Sequence, residues 1–405
     1  MLALAVLAPA AAHAAGPVGI AVDGEGTSYA GFGSGGLTRY QLGTGARIDE
    51  WKTPVADANG LLGPIVAIAA APAGTSANGG AVWVLDANLR VQEFSPTGSF
   101  LRGFRLDPCD ASESPAPGVR GGLDVTSDSI YVAHPCANAV LRFKVSDLPA
   151  RGSTVVAPAA MAQVYMPHGI STPDEPSAPG AGFLFVAEPL RVLRLDPTTL
   201  ADGCTVPVTH TGRPDDVFVA GAQGRLFVSE TENSSPGYSH RIYAYDGDGA
   251  GNFNEAFHVG GPGSDLGRFN GVRSFDVFTP PGGPGPNIFV ADFGNERVQR
   301  LSADASGFTY WASPAPDPGP FVDDVAPSVK SATLRRLRGD WVLRVEAVDA
   351  ESGLFELGIG KRRRGEFKTR PFERSTEVSG PRRVKFVQVG DLSGNLSKVV
   401  KVRRG

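Results

Sequence analysis

Gly16-Pro17-Val18-Gly19-Ile20-Ala21-Val22-Asp23 is the stretch that decides the fold, because altered forms of it return along the chain. They are Gly63-Pro64-Ile65-Val66-Ala67-Ile68-Ala69, Arg120-Gly121-Gly122-Leu123-Asp124-Val125, Met166-Pro167-His168-Gly169-Ile170, Arg213-Pro214-Asp215-Asp216-Val217-Phe218-Val219 and Gly271-Val272-Arg273-Ser274-Phe275-Asp276-Val277. Counted from Pro17, the steps are 47, 56, 47, 47 and 58 residues. Three equal steps and two lengthened ones make a period, the mark of a repeat architecture. Each copy goes on to a β-branched run, a polar turn and a second run. Ala81-Val82-Trp83-Val84-Leu85-Asp86-Ala87-Asn88-Leu89-Arg90-Val91-Gln92-Glu93-Phe94 and Asn287-Ile288-Phe289-Val290-Ala291-Asp292-Phe293-Gly294-Asn295-Glu296-Arg297-Val298-Gln299 are the clearest examples. Short alternating or apolar runs with Asx and Gly punctuation predict strand, turn, strand.

Composition agrees. The 405 residues include 52 Gly and 33 Pro with 41% hydrophobic residues, a folded but turn-rich chain. Glycine and proline lower helix stability by about 1 and 3 kcal/mol each, which excludes a helical bundle. About 47 residues with four short strands is the size of one propeller blade, a unit that cannot bury both faces by itself. Six copies over residues 16–313 therefore predict an all-β, six-bladed β-propeller. The Pro-x-Gly-Ile-Ala-Val-Asp opening, followed by Val-Ala-Asp-x-x-Asn-x-Arg-Val-Gln, resembles the NHL repeat of six-bladed propellers. The likeness is strongest in the second and sixth copies. The first lacks the Asp-x-x-Asn turn, and the fifth carries an insertion from Asn233 to His240.

Pro314-Ala315-Pro316-Asp317-Pro318-Gly319-Pro320 reads as a stiff spacer over residues 314–321. Charge reverses there: residues 1–321 carry 19 Lys and Arg against 31 Asp and Glu, residues 322–405 carry 19 against 11. Regularly spaced strand patterns in 322–405 predict a small β-sandwich. Its Ala-Pro-Ser-Val opening, Ala-Val-Asp-Ala-Glu-Ser-Gly segment and Asp391-to-Ser397 turn resemble the Ig-like modules appended to bacterial exported proteins.

Met1–Ala15 is apolar and ends in the small-x-small pattern Ala12-His13-Ala14, the form of a secretory signal without its positive n-region. A secreted, extracytoplasmic location is expected. No apolar run is long enough to span a bilayer as a helix, so the chain is not expected to cross a membrane. Cys109 and Cys136 are the candidate disulfide of such a chain, leaving Cys204 as a buried thiol.

Function is less legible. Residues following the opening proline or its equivalent, Val18, Ile65, Gly121, His168, Asp215 and Arg273, are candidate channel positions, and His168, Asp215 and Arg273 form the candidate polar constellation. His168 would serve as proton acceptor near neutral pH; a hydrogen-bonded, water-filled channel is the competing reading. In the related amidating lyase, histidines from several Pro-His-Gly openings hold zinc. Only Met166-Pro167-His168-Gly169-Ile170 matches here, so that site is not expected. Asp246, Asp248 and Asn252 occupy calcium-loop positions in Asp246-Gly247-Asp248-Gly249-Ala250-Gly251-Asn252, although Ala250 and Phe257 break the full pattern. Calcium is thus the one cofactor allowed for, against a plain hairpin loop. Asp86, Asn88, Asp292 and Asn295 read as turn formers, and Arg90, Arg142, Arg194, Arg241 and Arg297 as tethers between blades. Lys361-Arg362-Arg363-Arg364, with Arg382-Arg383, would either contact a polyanion or form a solvated hairpin tip. No nucleic acid is expected, since aromatics do not interleave with the cations. The sequence favours an exported non-enzymatic binding or scaffold protein. Its propeller loops would meet a protein or glycan, and its basic module an anionic envelope polymer or matrix. The alternative is an exported hydrolase or lyase, lactonase-like, with a channel site around His168.

Overall fold

The structure is a computed structural model. It describes residues 16–52, 59–71, 80–107, 120–134, 136–149, 155–173, 182–201, 203, 205–206, 213–220, 225–232, 240–247, 252–279, 286–304, 307–315, 326–337, 340–349, 354–363, 367–371, 375–379, 384–391 and 396–404. Two compact units emerge, one ending at Gly319 and the other beginning at Pro320. No described helix is long and apolar enough to cross a membrane.

The first unit is built of antiparallel sheets whose strands follow one another in chain order. Its first strands are Gly19–Val22, Ile65–Ala70, Gly122–Val125, Ile170–Ser171, Arg213–Ala220 and Val272–Phe278, one to each repeat copy. Five of these sheets have four strands. The fourth has three, Ile170–Ser171, Leu184–Glu188 and Arg191–Leu195, with an isolated bridge from Leu193 to Thr205 where an outer strand would lie. The last strand of the sixth sheet, Gly307–Pro314, pairs as far as Pro314, so the spacer's first residue belongs to the sheet.

Both faces of the second strands are buried, and alternation divides them between neighbouring sheets. In the second sheet Val82 and Val84 pack with Tyr29 and Trp51 of the first, whereas Trp83 and Leu85 pack with Leu123 and Val132 of the third. Leu184 and Val186 face the third sheet, Phe185 and Ala187 the fifth. Ile288 and Val290 face the fifth, and Phe289 and Ala291 meet Ile20 and Phe32 of the first. This explains why the second strands read as uninterrupted apolar runs: a strand covered on both sides has no solvent face to keep polar. The first strands also touch in a closed circuit, each next to the following one and Val272–Phe278 next to Gly19–Val22. The unit is therefore all-β and propeller-like, closed by packing between its terminal sheets.

In the second unit, one sheet orders Ser375–Ser379, Asp340–Val348, Ser328–Leu337 and Arg403–Arg404, the other Lys368–Pro371, Leu354–Gly360, Phe386–Asp391 and Val400–Lys401. Ala332, Leu334, Leu343 and Val345 of the first share one core with Leu357, Val387 and Val389 of the second.

If the closing seam is packed like the others, Phe289→Ala at the seam and Phe185→Ala between the fourth and fifth sheets should destabilise similarly. Both rings are fully buried, so each loss should be about 3–5 kcal/mol in denaturant unfolding. A loss under 1 kcal/mol confined to Phe289→Ala would mean that the seam is open in solution.

Candidate functional site

The first strands run along the central axis, and register decides what their side chains meet. Arg213–Ala220 pairs with Arg225–Glu232 as Pro214 to Glu230 and then Asp216 to Ser229, so Asp215 is skipped. Val272 pairs with Asp292 and Ser274 with Ala291, so Arg273 is skipped in the same way. A bulged residue leaves the ladder and shifts its neighbours to the other face. The expected trio thus occupies equivalent positions in the openings of three consecutive sheets. Arg273 lies over the Phe293 ring of its own sheet, 4.7 Å from the centroid. His168 is half-buried, and its backbone N–H donates to Ala187 O at 2.9 Å. Asp215 is described by its backbone alone.

The acids that face the neighbouring first strand are others: Asp124, Asp216 and Asp276. All three have the same geometry. One oxygen, Oδ1, accepts the N–H of the following residue, Val125 at 2.9 Å, Val217 at 2.9 Å and Val277 at 2.6 Å. The other, Oδ2, accepts an N–H from the next sheet: Thr172 N to Asp124 at 2.6 Å, Phe275 N to Asp216 at 3.1 Å and Val22 N to Asp276 at 2.6 Å. Ile20 N donates to Ser274 Oγ at 3.4 Å beside the last of these. Between the fourth and fifth sheets the backbone itself approaches. A Cβ on Gly169 would stand 2.2 Å from Asp216 Oδ1 and 2.5 Å from its Cα, so only glycine fits beside His168. Desolvation is the main force on these carboxyls. It pushes Asp216 and Asp276 up to about 7 and raises Asp124, and mutual repulsion among the three adds to it for Asp216 and Asp276. Groups of this kind can hold or deliver a proton near neutrality.

The rim where chains enter the sheets is clamped by the Asp-x-x-Asn-x-Arg-Val-Gln motif. In the second sheet Asp86 Oδ2 accepts from Gly63 N at 3.0 Å and from Arg90 Nη2 at 2.6 Å, while Arg90 Nη2 and Gln92 Nε2 donate to Leu61 O at 2.9 and 2.7 Å. In the sixth, Asp292 Oδ1 accepts from Asn270 N at 2.7 Å, and Arg297 donates to Ser264 O and Arg268 O at 2.7 and 2.8 Å. Glu188 and Arg191 repeat the device in the fourth: Tyr165 N donates to Glu188 Oε1 at 2.7 Å and Arg191 Nε to Oε2 at 2.6 Å. Arg90 and Arg297 thus secure the loop entering their own sheet, which corrects the expected tether between blades. Arg142 does reach across, to Thr198 O at 3.3 Å.

The remaining candidates are placed as follows. Asp246 is exposed, and its carboxylate accepts from Arg225 Nε at 2.6 Å and Nη2 at 3.1 Å across the strands, so a guanidinium already holds the expected first calcium ligand. Asn252 is exposed just before Phe253–Gly260, and Asp248 lies outside the described residues. Among the described residues no group of three His, Cys, Asp or Glu side chains could hold a metal. Cys136 is in a disulfide, with its backbone N–H donating to His134 Nδ1 at 3.3 Å; Cys109 lies outside the described residues. Lys361, Arg362 and Arg363 form an exposed turn after Leu354–Gly360, and Arg364 falls beyond the described residues.

No protein-family model and no curated protein matches the chain. Among solved structures it is similar to hydrazine synthase of Kuenenia stuttgartiensis, at 15% identity and TM-score 0.45 over 73% of this chain and 80% of that one. A lactonase-like protein of Bacteroides uniformis gives 13% and 0.42 over 73% and 84%, and the WD40 propeller domain of Doa1 gives 10% and 0.42 over 71% and 79%. At those identities and scores the likeness says nothing of what this chain binds or acts on.

The carboxyl geometry gives a pH dependence. A carboxyl raised by burial favours its neutral form in the fold, so its stabilising contribution is complete below the unfolded value near 3.8 and is lost as pH rises through about 7. Lowering the pH from 8 to 5 should raise the melting temperature of the first unit by a few degrees, as about 1 kcal/mol does in a large domain. Asp276→Asn keeps an acceptor for Val22 N–H without the charge; it should melt no lower than wild type at pH 8 and show a weaker pH dependence. Asp276→Leu strands that N–H and should lose about 1–3 kcal/mol. An unchanged pH profile in Asp276→Asn would remove Asp276 as its source.

Proposed function

We propose that the first unit is a six-bladed β-propeller of NHL type and that the chain is an exported, non-enzymatic binding or scaffold protein. Its rim contacts a protein or glycan ligand. The second unit, an Ig-like module, associates through its cations with an anionic polymer of the envelope or matrix. The observation carrying this reading is a set of exposed apolar side chains at a clamped rim. Tyr165, Met166 and Leu190 are 58%, 45% and 73% exposed. Glu188 holds the backbone of Tyr165, Asn138 Oδ1 accepts from Met166 N at 3.0 Å, and Leu190 lies in the turn between Glu188 and Arg191. Met166 keeps a left-handed φ of 45°, a strained backbone of the sort that collects at binding sites. Tyrosine and methionine are favoured at interfaces, and a fixed loop loses little freedom on binding. Export is supported by the disulfide at Cys136, which suits an oxidising compartment; pairing with Cys109 is checked by non-reducing peptide mapping.

A glycan array and cross-linking to an envelope fraction test the rim. Bound ligand should be lost by about tenfold or more in Tyr165→Asp/Leu190→Asp, a change that desolvated interface anchors commonly produce. Undiminished binding by that variant would overturn the rim assignment. The two carboxyls near 7 favour one other reading, a hydrolase or lyase with its acid–base groups on the central axis. Turnover of a lactone in a substrate panel, abolished by Asp276→Asn or His168→Ala, would establish it; the binding reading expects no turnover.

A further inference from the structure

The second unit assembles cations from three segments far apart in sequence. Strand Leu354–Gly360 ends with Gly360 opposite Phe386, and Lys385 N donates to Gly360 O at 3.1 Å. Phe386 pairs in turn with Lys401, and Val402 N donates to Lys385 O at 2.9 Å. Lys361, Arg362 and Arg363 therefore emerge beside Lys385, and Lys385 stands level with Val402, between the chain positions of Lys401 and Arg403 at the same end of the unit. All six side chains are exposed. Buried Val402 anchors the stretch between the last two. Residues 357–363, 384–390 and 396–404 contain no Asp or Glu. Arg403 pairs with Thr333 at the edge of the other sheet, and Thr333 pairs on its far side with Arg344, which forms an exposed ion pair with Glu346.

We infer that this cationic end of the second unit is a composite binding surface for a linear anionic polysaccharide, with the exposed turn Lys361–Arg363 as only one part of it. The inference rests on the polymer-associating role proposed above and deepens it. Neighbouring strands stand about 4.8 Å apart, so cations over three of them extend about 10 Å, a width that suits a chain with repeated carboxylate or sulfate groups. Arginine forks take such groups bidentately, and lysines add point charges. The apolar residues among the cations, Ile359, Phe386 and Val400, are half-buried, and exposed Leu396 bridges Gly390 at the far end of its strand, so no apolar wedge stands among the cations to enter a bilayer. No exposed aromatic ring stands among these described residues for bases to stack on, and the Trp341 ring is covered by Arg404 at 5.8 Å.

The test uses the full chain with heparin, polygalacturonate, single-stranded DNA and vesicles of phosphatidylcholine with phosphatidylglycerol, at several salt concentrations. Both polysaccharides should bind with an affinity that falls as salt rises. Lys361→Glu/Arg362→Glu/Arg363→Glu and, separately, Lys385→Glu/Arg403→Glu should each weaken binding by roughly tenfold or more. Unchanged circular dichroism and melting show that the variants are folded. Tighter binding to DNA or to vesicles overturns the polysaccharide assignment. Loss on reversing the turn with no change on reversing Lys385 and Arg403 overturns the composite surface while sparing the polymer-associating role. If wild type binds no polymer, both fall together.

Discussion

A carboxylate that bonds its own strand with one oxygen and the next strand's N–H with the other is the constraint on which the first unit depends. The first strand of each sheet has one side with no ladder partner, and unpaired backbone donors in a protein interior are costly. Asp124, Asp216 and Asp276 supply acceptors to Thr172, Phe275 and Val22. The neighbour's main chain also comes close against Gly122 and Gly169. The Asp276 bond joins residues 254 apart in sequence, and with Ile20 N to Ser274 Oγ and Arg300 Nη1 to Leu42 O it ties the end of the repeat array to its beginning. Closure needs no exchanged strand, because the seam combines these bonds with the packing of Phe289 against Ile20 and Phe32.

That arrangement carries an electrostatic penalty. These half-buried acids are desolvated, which raises all three, and with repulsion between them lifts Asp216 and Asp276 to about 7. The same groups are structural bridges and the most unusual proton sites of the described chain. At the rim the logic differs: the acids Asp86, Asp292 and Glu188 each have an arginine beside them, and the pair binds the entering loop. One such rim loop carries exposed Tyr165 and Met166, whose backbone N–H groups donate to Glu188 and Asn138.

Much of the fold was legible because its signals are local. Spacing between Pro17, Pro64, Pro167 and Pro214 reports the repeat, and Asp-x-x-Asn-x-Arg-Val-Gln reports a turn within a few residues. The acids that bridge neighbouring first strands were harder. Asp124, Asp216 and Asp276 all lie inside the repeat openings, and an acid within an apolar strand run was the signal available for them. Reading the residue after the opening proline selected His168, Asp215 and Arg273 as channel candidates. In two of those strands it selected the residue that the bulge removes from the ladder. A one-residue shift turns a side chain to the opposite face, and a bulge leaves no periodic mark in so short a strand. The exposed turn at Lys361 was visible as a charge run, whereas its nearness to Lys385 and Lys401 depends on strand pairing between residues 13 to 37 apart.

By itself the sequence determined the period, the strand-turn-strand content of each copy, the buried character of the second strands and the change of charge near residue 321. These follow from propensity, periodicity and composition, which act over a few residues. Only the tertiary structure decided which acid meets which backbone, how the last sheet meets the first and which cations share a surface. Those outcomes depend on the register of strands brought together across long loops. Register is set by the packing of whole faces, and no short stretch of chain encodes it alone.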